Sequence, residues 1–145
     1  MASYASTKIT YLLAIKIIDF DTDTSKICLM QTGFTFDRAT HHVYADISAS
    51  ELATANGYTA GGVSLGVSTV TENDTLFKTT VTWPNASWTA AGGSIGPAAG
   101  AIIYDDTVAA PVAKPVIGYI DFGTDQTQVN GGVFTIANPE VDLST

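Results

Sequence analysis

Two acidic motifs hold the residues of this chain whose spacing could support chemistry. In the first, Asp19, Asp21 and Asp23 alternate in the segment DFDTDT, which is how a calcium-binding EF-hand loop begins. That loop also needs glycine at its sixth position and glutamate at its twelfth, where this chain has Thr24 and Met30. The pattern therefore favours a solvated turn over a metal site.

The second acidic motif, Asp105-Asp106, follows an apolar run and precedes Thr107. A carboxylate pair can do acid–base work only where a second group converges on it. The sequence shows no such group, so we interpret the pair as a polar strand end.

His41 and His42 are adjacent, would point to opposite faces of a strand, and lack a ligand partner at zinc-site spacing. We interpret them as ordinary loop histidines.

Nucleophilic and phosphate-binding motifs are missing from the sequence. It has no Gly-x-Ser-x-Gly elbow, and its glycine clusters lack the patterns of phosphate-binding loops. The single cysteine, Cys28, lies in the apolar run 27–30, where a buried and unreactive thiol is expected. We therefore expect a protein that is not an enzyme, with no catalytic residues, no metal and no cofactor.

Composition narrows the class of partner. Charged residues make up 14% of the chain, and 14 acidic against 6 basic residues give a formal net charge of −8. Because nucleic-acid binding uses lysines and arginines to neutralise phosphates, we expect neither a nucleic-acid nor an anionic membrane partner.

The apolar segment 11–18 is too short to span a bilayer and no secretion leader precedes it, so we expect synthesis in a cytoplasm.

Short apolar runs at roughly ten-residue spacing, separated by turn residues, are typical of an all-β sandwich or barrel. Residues 1–7 are expected to form a flexible N-terminal arm, and segment 8–18 fits either a strand or a short buried helix. The sequence thus predicts a mainly all-β, single-domain antiparallel β-sandwich or barrel over residues 8–145, with room for one short N-terminal helix. The strand candidates are 26–31, 43–47, 63–67, 76–83, 102–104, 116–122 and 133–137, and a single helical turn is expected at 51–55.

Segment 81–106 joins two of these strands through a glycine-rich connection. Val81 and Trp83 share one face of the predicted strand, so Trp83 is interpreted as a core residue. Trp88 fits either a core position or an aromatic platform for a sugar. The connection 90–100 is interpreted as a loop and is the preferred place for a partner contact.

Several motifs occur in order along the chain: DFDTDTSKICLM, ELATANGYTAGGVSL, VTW, GGSIGPA, AIIYDDT and PVIGYIDFG. Over about residues 19–134, this ordered set resembles a widespread family of small virion structural proteins of tailed bacteriophages. The chain departs from the family pattern after the Gly-Pro turn, where Ala98-Ala99-Gly100 replace an aromatic residue or an arginine. That departure bears on how the loop packs and on its contact with a neighbour.

The resemblance implies a β-rich capsid decoration (cement) protein on the exterior of the virion. Such a protein binds the lattice of the major capsid protein and stabilises the head, and the family pattern offers no catalytic or metal residues. Lattice symmetry favours a homotrimer at three-fold positions. The alternative is a tail- or fibre-associated virion protein with a host-surface or glycan-binding role.

The candidate partner-contact residues come from the N-terminal arm, the GYTAGG motif and the glycine-rich loop. They are Tyr4, Tyr58, Trp88, Gly92, Gly93, Ile95 and Pro97. In the glycan-binding alternative, Tyr58, Trp88 and the loop at 92–97 would contact the sugar.

Overall fold

Strands dominate the part of the chain that the structure, a computed structural model, describes, which is residues 2–143. A short 3₁₀ turn, Ser48–Ser50, directly follows the helix Tyr44–Ile47. The mainly all-β class is confirmed, and the ambiguous segment 8–18 contains the short N-terminal helix. In chain order the elements are β1 (Ala2–Ala5), α1 (Thr7–Ala14), β2 (Ser25–Gln31), α2 (Tyr44–Ile47), β3 (Val63–Ser64), β4 (Thr69–Asn73), β5 (Lys78–Thr82), β6 (Ala86–Thr89), β7 (Ile95–Asp105), β8 (Val116–Gln128), β9 (Val133–Ile136) and β10 (Glu140–Asp142).

The strands form a five-stranded sheet, a three-stranded sheet and a two-stranded ribbon. The five-stranded sheet has the order β1-β8-β7-β2-β3, and all its neighbouring strands are antiparallel. The three-stranded sheet has the order β10-β5-β4, and the ribbon pairs β6 with β9. The sheets do not close into a barrel.

The central strands of the large sheet are buried on both faces, which explains why β2 reads as a continuous apolar run rather than an alternating one. Ile27 and Leu29 of β2 belong to a first core, which α1, the three-stranded sheet and the ribbon cover. Cys28 and Met30 belong to a second core on the opposite face, which segment 34–47 covers. The two faces of the large sheet are therefore covered by different parts of the chain.

Two glycines allow close packing against this sheet. A Cβ at Gly118 of β8 would lie 2.8 Å from a methyl group of Val141, so glycine lets β10 approach on the first-core face. A Cβ at Gly100 of β7 would lie 2.4 Å from the hydroxyl of Tyr119 on the other face. The Tyr119 ring therefore lies across β7 only because position 100 has no side chain.

Four expectations about local structure were wrong. Residues 2–5 are not a free arm but form β1, in register with β8. Segment 43–47 is not a strand, because the Asp46 carboxylate accepts hydrogen bonds from the N–H groups of His42 and Val43, both at 3.0 Å, and starts α2. Residues 95–100 belong to β7 rather than to a loop. The helical turn expected at 51–55 is replaced by a bridge between Glu51 and Met30.

Candidate functional site

The two acidic motifs meet in the folded chain. Asp105, at the end of β7, is 1% exposed, and its Oδ1 accepts hydrogen bonds from the N–H groups of Thr107 (2.8 Å) and Val108 (3.0 Å). Burial and a side-chain hydrogen bond with Asp23 together raise the pKa of Asp105 to about 6, although the two backbone hydrogen bonds lower it. Asp23 is thus the converging second group that the sequence did not reveal.

The surroundings of this carboxyl pair tie two segments together. Thr24 donates its N–H to the Thr107 hydroxyl at 2.8 Å, and Asp106 donates its N–H to the Thr24 carbonyl at 2.8 Å. The Asp106 carboxylate pairs with Lys114 at 3.0 Å and lies 3.8 Å from Lys26. Within residues 2–143, no group of three or more histidine, cysteine or acidic side chains could hold a metal ion. These contacts therefore hold the segment before β2 against the end of β7.

A buried glutamate at the edge of the second core accepts three hydrogen bonds. Glu51 is 4% exposed, and its Oε1 accepts from the Tyr58 hydroxyl (2.5 Å) and the Gly61 N–H (2.6 Å). Its Oε2 accepts from the Tyr44 hydroxyl at 2.5 Å. Burial and these contacts raise the pKa values of both tyrosines well above the ordinary range, so both hydroxyls remain donors. Burial, followed by the Glu51 charge, also raises the pKa of Cys28, in keeping with an unreactive thiol.

Sequence reasoning missed Glu51 because nothing around it signals burial. Its chain neighbours 48–50 and 53–57 are mostly exposed, and its hydrogen-bond donors come from α2 and from the GYTAGG motif. The one usable signal is the GYTAGG motif, whose tyrosine and glycines supply two of the donors. Tyr58 also accepts from the Leu29 N–H at 2.9 Å, which fixes the motif to β2.

The two histidines lie on a loop, as interpreted, and have different environments. The His41 ring stacks on Phe34 with centroids 5.5 Å apart, and its Nδ1 accepts from the Asp37 N–H at 3.0 Å. The His42 carbonyl accepts from the Val116 N–H at 2.8 Å at the start of β8. Neither side chain joins a metal-binding group among the described residues.

The candidate contact residues divide into buried and exposed sets. Tyr58, Trp88 and Ile95 are between 2% and 4% exposed, so their side chains offer a partner almost no surface. Trp88 packs against Tyr58 and Phe134, with ring centroids 5.7 and 6.1 Å away, which makes it a core residue and not a sugar platform. Trp83 is a core residue too, as expected. The remaining candidates, Tyr4, Gly92, Gly93 and Pro97, are exposed or half-buried.

An exposed apolar surface lies elsewhere, on the β4–β5 hairpin and beside α1. Phe77 and Leu76, at the hairpin tip, are 87% and 61% exposed. Phe77 also has a φ of 51°, a left-handed conformation that favours glycine or asparagine. Val70 and Phe77 line a groove of about 750 Å³ together with Leu13 and Phe20. We call these five side chains the hairpin surface.

A second groove, of about 500 Å³, opens on the second-core side of the large sheet. Four aromatic rings line it, those of Tyr4, Phe34, Phe36 and Tyr119, and we call it the aromatic groove. Its lining also contains three charged side chains, which are Arg38, Asp121 and Asp125. Burial raises the pKa of Tyr119 to about 12, and the nearby charges of Asp121 and Asp125 add to this shift.

The fold and these surfaces define a small antiparallel β protein with an exposed apolar hairpin surface and an aromatic groove. Comparisons with protein-family models, with curated proteins and with solved structures found no match to the chain. Among the described residues, no helix is long and apolar enough to cross a membrane.

Proposed function

We propose that this chain is a non-enzymatic structural protein of a tailed-bacteriophage particle that decorates and stabilises the capsid. The ordered motifs of the sequence suggest the family, and the hairpin surface is the observation that carries a docking role. Exposed apolar patches of this kind mark protein interaction sites on otherwise soluble domains. The partner in this proposal is the lattice of the major capsid protein.

The hairpin surface fits a docking role better than the glycine-rich loop does. Phe77 carries a bulky aromatic side chain at a left-handed backbone position, which strains the backbone. The ring does not pack in the core, so the fold gains nothing from this strain. In contrast, Trp88 and Ile95, which flank the glycine-rich loop, are committed to the first core. A contact centred on Leu76 and Phe77 therefore replaces the contact expected at 90–100.

Charge supports the proposed position on the outside of the shell. The formal net charge of −8 would be repelled by packaged DNA, and the six basic residues form no patch on the sequence. A protein that binds only the assembled lattice stabilises that lattice by mass action, and many copies make a modest interface effective. A homotrimer on three-fold positions remains part of the proposal.

The test uses expanded capsids from the phage that encodes this chain, purified from a deletion mutant. We expect the added protein to sediment with these capsids and to raise their resistance to heat, and Phe77→Asn to weaken sedimentation at least ten-fold. Val129→Asn is the matched control, because Val129 is 65% exposed in the connection between β8 and β9 and does not line the hairpin groove. Failure of the wild-type chain to bind capsids, with no loss of heat resistance in the deletion mutant, would contradict the proposal.

A further inference from the structure

The aromatic groove presents rings that are already fixed in place. Tyr4 of β1 lies directly opposite Tyr119 of β8 in the sheet register, so the two side chains share one face. The rings of Phe34 and Phe36 lie 5.4 and 5.5 Å from the Tyr119 ring, between centroids. Tyr4 is 42% exposed and both phenylalanines are half-buried, whereas Tyr119 is 4% exposed and mainly supports the other rings. The groove therefore offers aromatic surface whose orientation is set before any ligand binds.

Contacts with His41 hold the loop that carries the two phenylalanines in place. His41 packs against both rings, with centroids 5.5 Å from Phe34 and 5.8 Å from Phe36. The hydrogen bond from the Asp37 N–H to His41 Nδ1 closes this loop on itself. A ligand that stacks on these rings would thus lose little affinity to ordering of the loop.

Polar groups beside the rings include both donors and acceptors. Arg38 donates its Nε–H to the Ala5 carbonyl at 2.7 Å, which fixes the guanidinium beside β1. None of the ion pairs among the described residues involves Arg38, although the chain is strongly acidic. Asp121 accepts from the Gly123 N–H at 2.8 Å, and Asp125 accepts from the Thr32 hydroxyl, so each carboxylate is oriented by one hydrogen bond.

We propose that the aromatic groove binds a neutral oligosaccharide. A sugar ring has apolar C–H faces that pack on aromatic rings and equatorial hydroxyls that both donate and accept hydrogen bonds. Arg38 would donate to those hydroxyls, while Asp121 and Asp125 would accept from them. The two carboxylates disfavour an anionic ligand, and Arg38 disfavours a cationic one. The volume of about 500 Å³ lies within the usual range for small-molecule sites.

This inference goes beyond the capsid-docking role and does not depend on it. It also differs from the glycan site suggested by the sequence, since Tyr58 and Trp88 are buried and only Tyr4 is shared by the aromatic groove and the candidate contact residues. The ligand class follows from the groove lining alone.

Saturation-transfer NMR on the purified chain tests the proposal. The probes are maltotriose, cellotriose, N,N′,N″-triacetylchitotriose and mannotriose, with anionic sialyllactose and cationic chitotriose as charged comparisons. We expect at least one neutral trisaccharide to receive saturation on its C–H protons and to bind more tightly than either charged probe. Affinity for that sugar is then measured by titration.

Three groove variants decide where the sugar binds. Tyr4→Ala and Phe36→Ala each remove one ring and should weaken binding about ten-fold. Arg38→Lys keeps the positive charge but loses the planar donor geometry, and should also weaken binding. The matched control is Tyr11→Ala, because Tyr11 is a 53% exposed tyrosine on α1, outside the groove. Thermal unfolding of each variant verifies that it is folded.

Three results would overturn the proposal. The first is an absence of saturation transfer to all four neutral sugars. The second is binding of a charged probe that equals or exceeds the best neutral one. The third is neutral-sugar binding that Tyr4→Ala and Phe36→Ala leave unchanged in folded protein.

Discussion

At the scale of single residues, Glu51 shows how a buried charge is accommodated in this chain. Its carboxylate accepts from two tyrosine hydroxyls and one backbone N–H, so both oxygens have partners in a 4% exposed side chain. Breaking such an arrangement costs more than the hydrogen bonds are worth, because buried donors are left without acceptors. The same carboxylate joins α2 to the GYTAGG motif, and Tyr58 links that motif to β2.

We predict that Glu51→Ala lowers the free energy of unfolding by about 3 kcal/mol or more, since three buried donors lose their acceptor. Glu51→Gln should cost only about 1 kcal/mol, because its oxygen can still accept from Tyr58 and Gly61. Tyr44 can then accept from the amide nitrogen by rotating its hydroxyl. Urea unfolding measures both variants. Equal and small losses in the two variants would show that the hydrogen bonds do not stabilise the fold.

Asp105 is a second buried carboxyl group, and its folded pKa is raised to about 6. Between the unfolded value near 3.8 and this folded value, the folded chain holds a proton that the unfolded chain releases. The free energy of unfolding contributed by Asp105 therefore falls as the pH rises from about 4 to about 6, and is level above that range. Asp23 is the main neighbour that favours the proton, while Lys114 and Lys26 pair with Asp106 instead.

We predict that Asp105→Asn removes this pH dependence. The asparagine oxygen can still accept from the N–H groups of Thr107 and Val108, and its amide can donate to Asp23. The stability of the variant relative to the wild type should thus rise between pH 4 and pH 6. Chemical unfolding at half-unit pH steps provides the comparison. Parallel pH profiles for the two proteins would exclude Asp105 as the titrating group.

Each acidic motif was interpreted correctly by itself, as a turn and as a strand end, but their meeting was not predicted. Asp23 and Asp105 lie 82 positions apart by number and are brought together only by the pairing of β2 with β7. The buried state of Cys28 and Trp83 followed from apolar neighbours and strand spacing. Trp88 could not be assigned in this way, because a four-residue strand carries too little pattern to show which face is buried.

At the scale of elements, the long apolar runs were predicted well and the short polar ones were not. The candidates 26–31 and 133–137 match β2 and β9 closely, and 116–122 is the buried first half of β8. In contrast, the sequence of β1 is small and polar, and the strand exists because β8 extends a free edge beside it. The start of β7 resembles a loop in sequence because, apart from Ile95, its buried residues are alanine and glycine, which give no apolar pattern.

The β4–β5 hairpin yields a prediction about stability as well as about binding. Asn73 accepts the Leu76 N–H at 2.9 Å, and the turn then passes through Phe77 at a φ of 51°. Because Phe77 is 87% exposed and asparagine tolerates this conformation, Phe77→Asn should raise the free energy of unfolding by about 0.5 kcal/mol. Val129→Asn should change it very little. A loss of stability in Phe77→Asn would mean that the ring supports the fold.

At the scale of the whole molecule, the five-stranded sheet separates two surfaces. Leu13 and Phe20 of the hairpin surface pack against the first core, whereas Phe34, Phe36 and Tyr119 of the aromatic groove belong to the second. Because the two cores cover opposite faces of one sheet, a partner on the hairpin surface leaves the aromatic groove open. A particle decorated through the hairpin could therefore present the groove to solvent.

We predict that substitutions on the two faces act independently. Phe77→Asn should leave the affinity for a bound trisaccharide within about two-fold of the wild type, and Phe36→Ala should leave capsid sedimentation within the same margin. The reason is physical separation, since neither residue lines the groove to which the other contributes. The double variant should then lose both activities by the product of the single effects. A variant that weakens both kinds of binding while remaining folded would show that the two surfaces are coupled through the sheet.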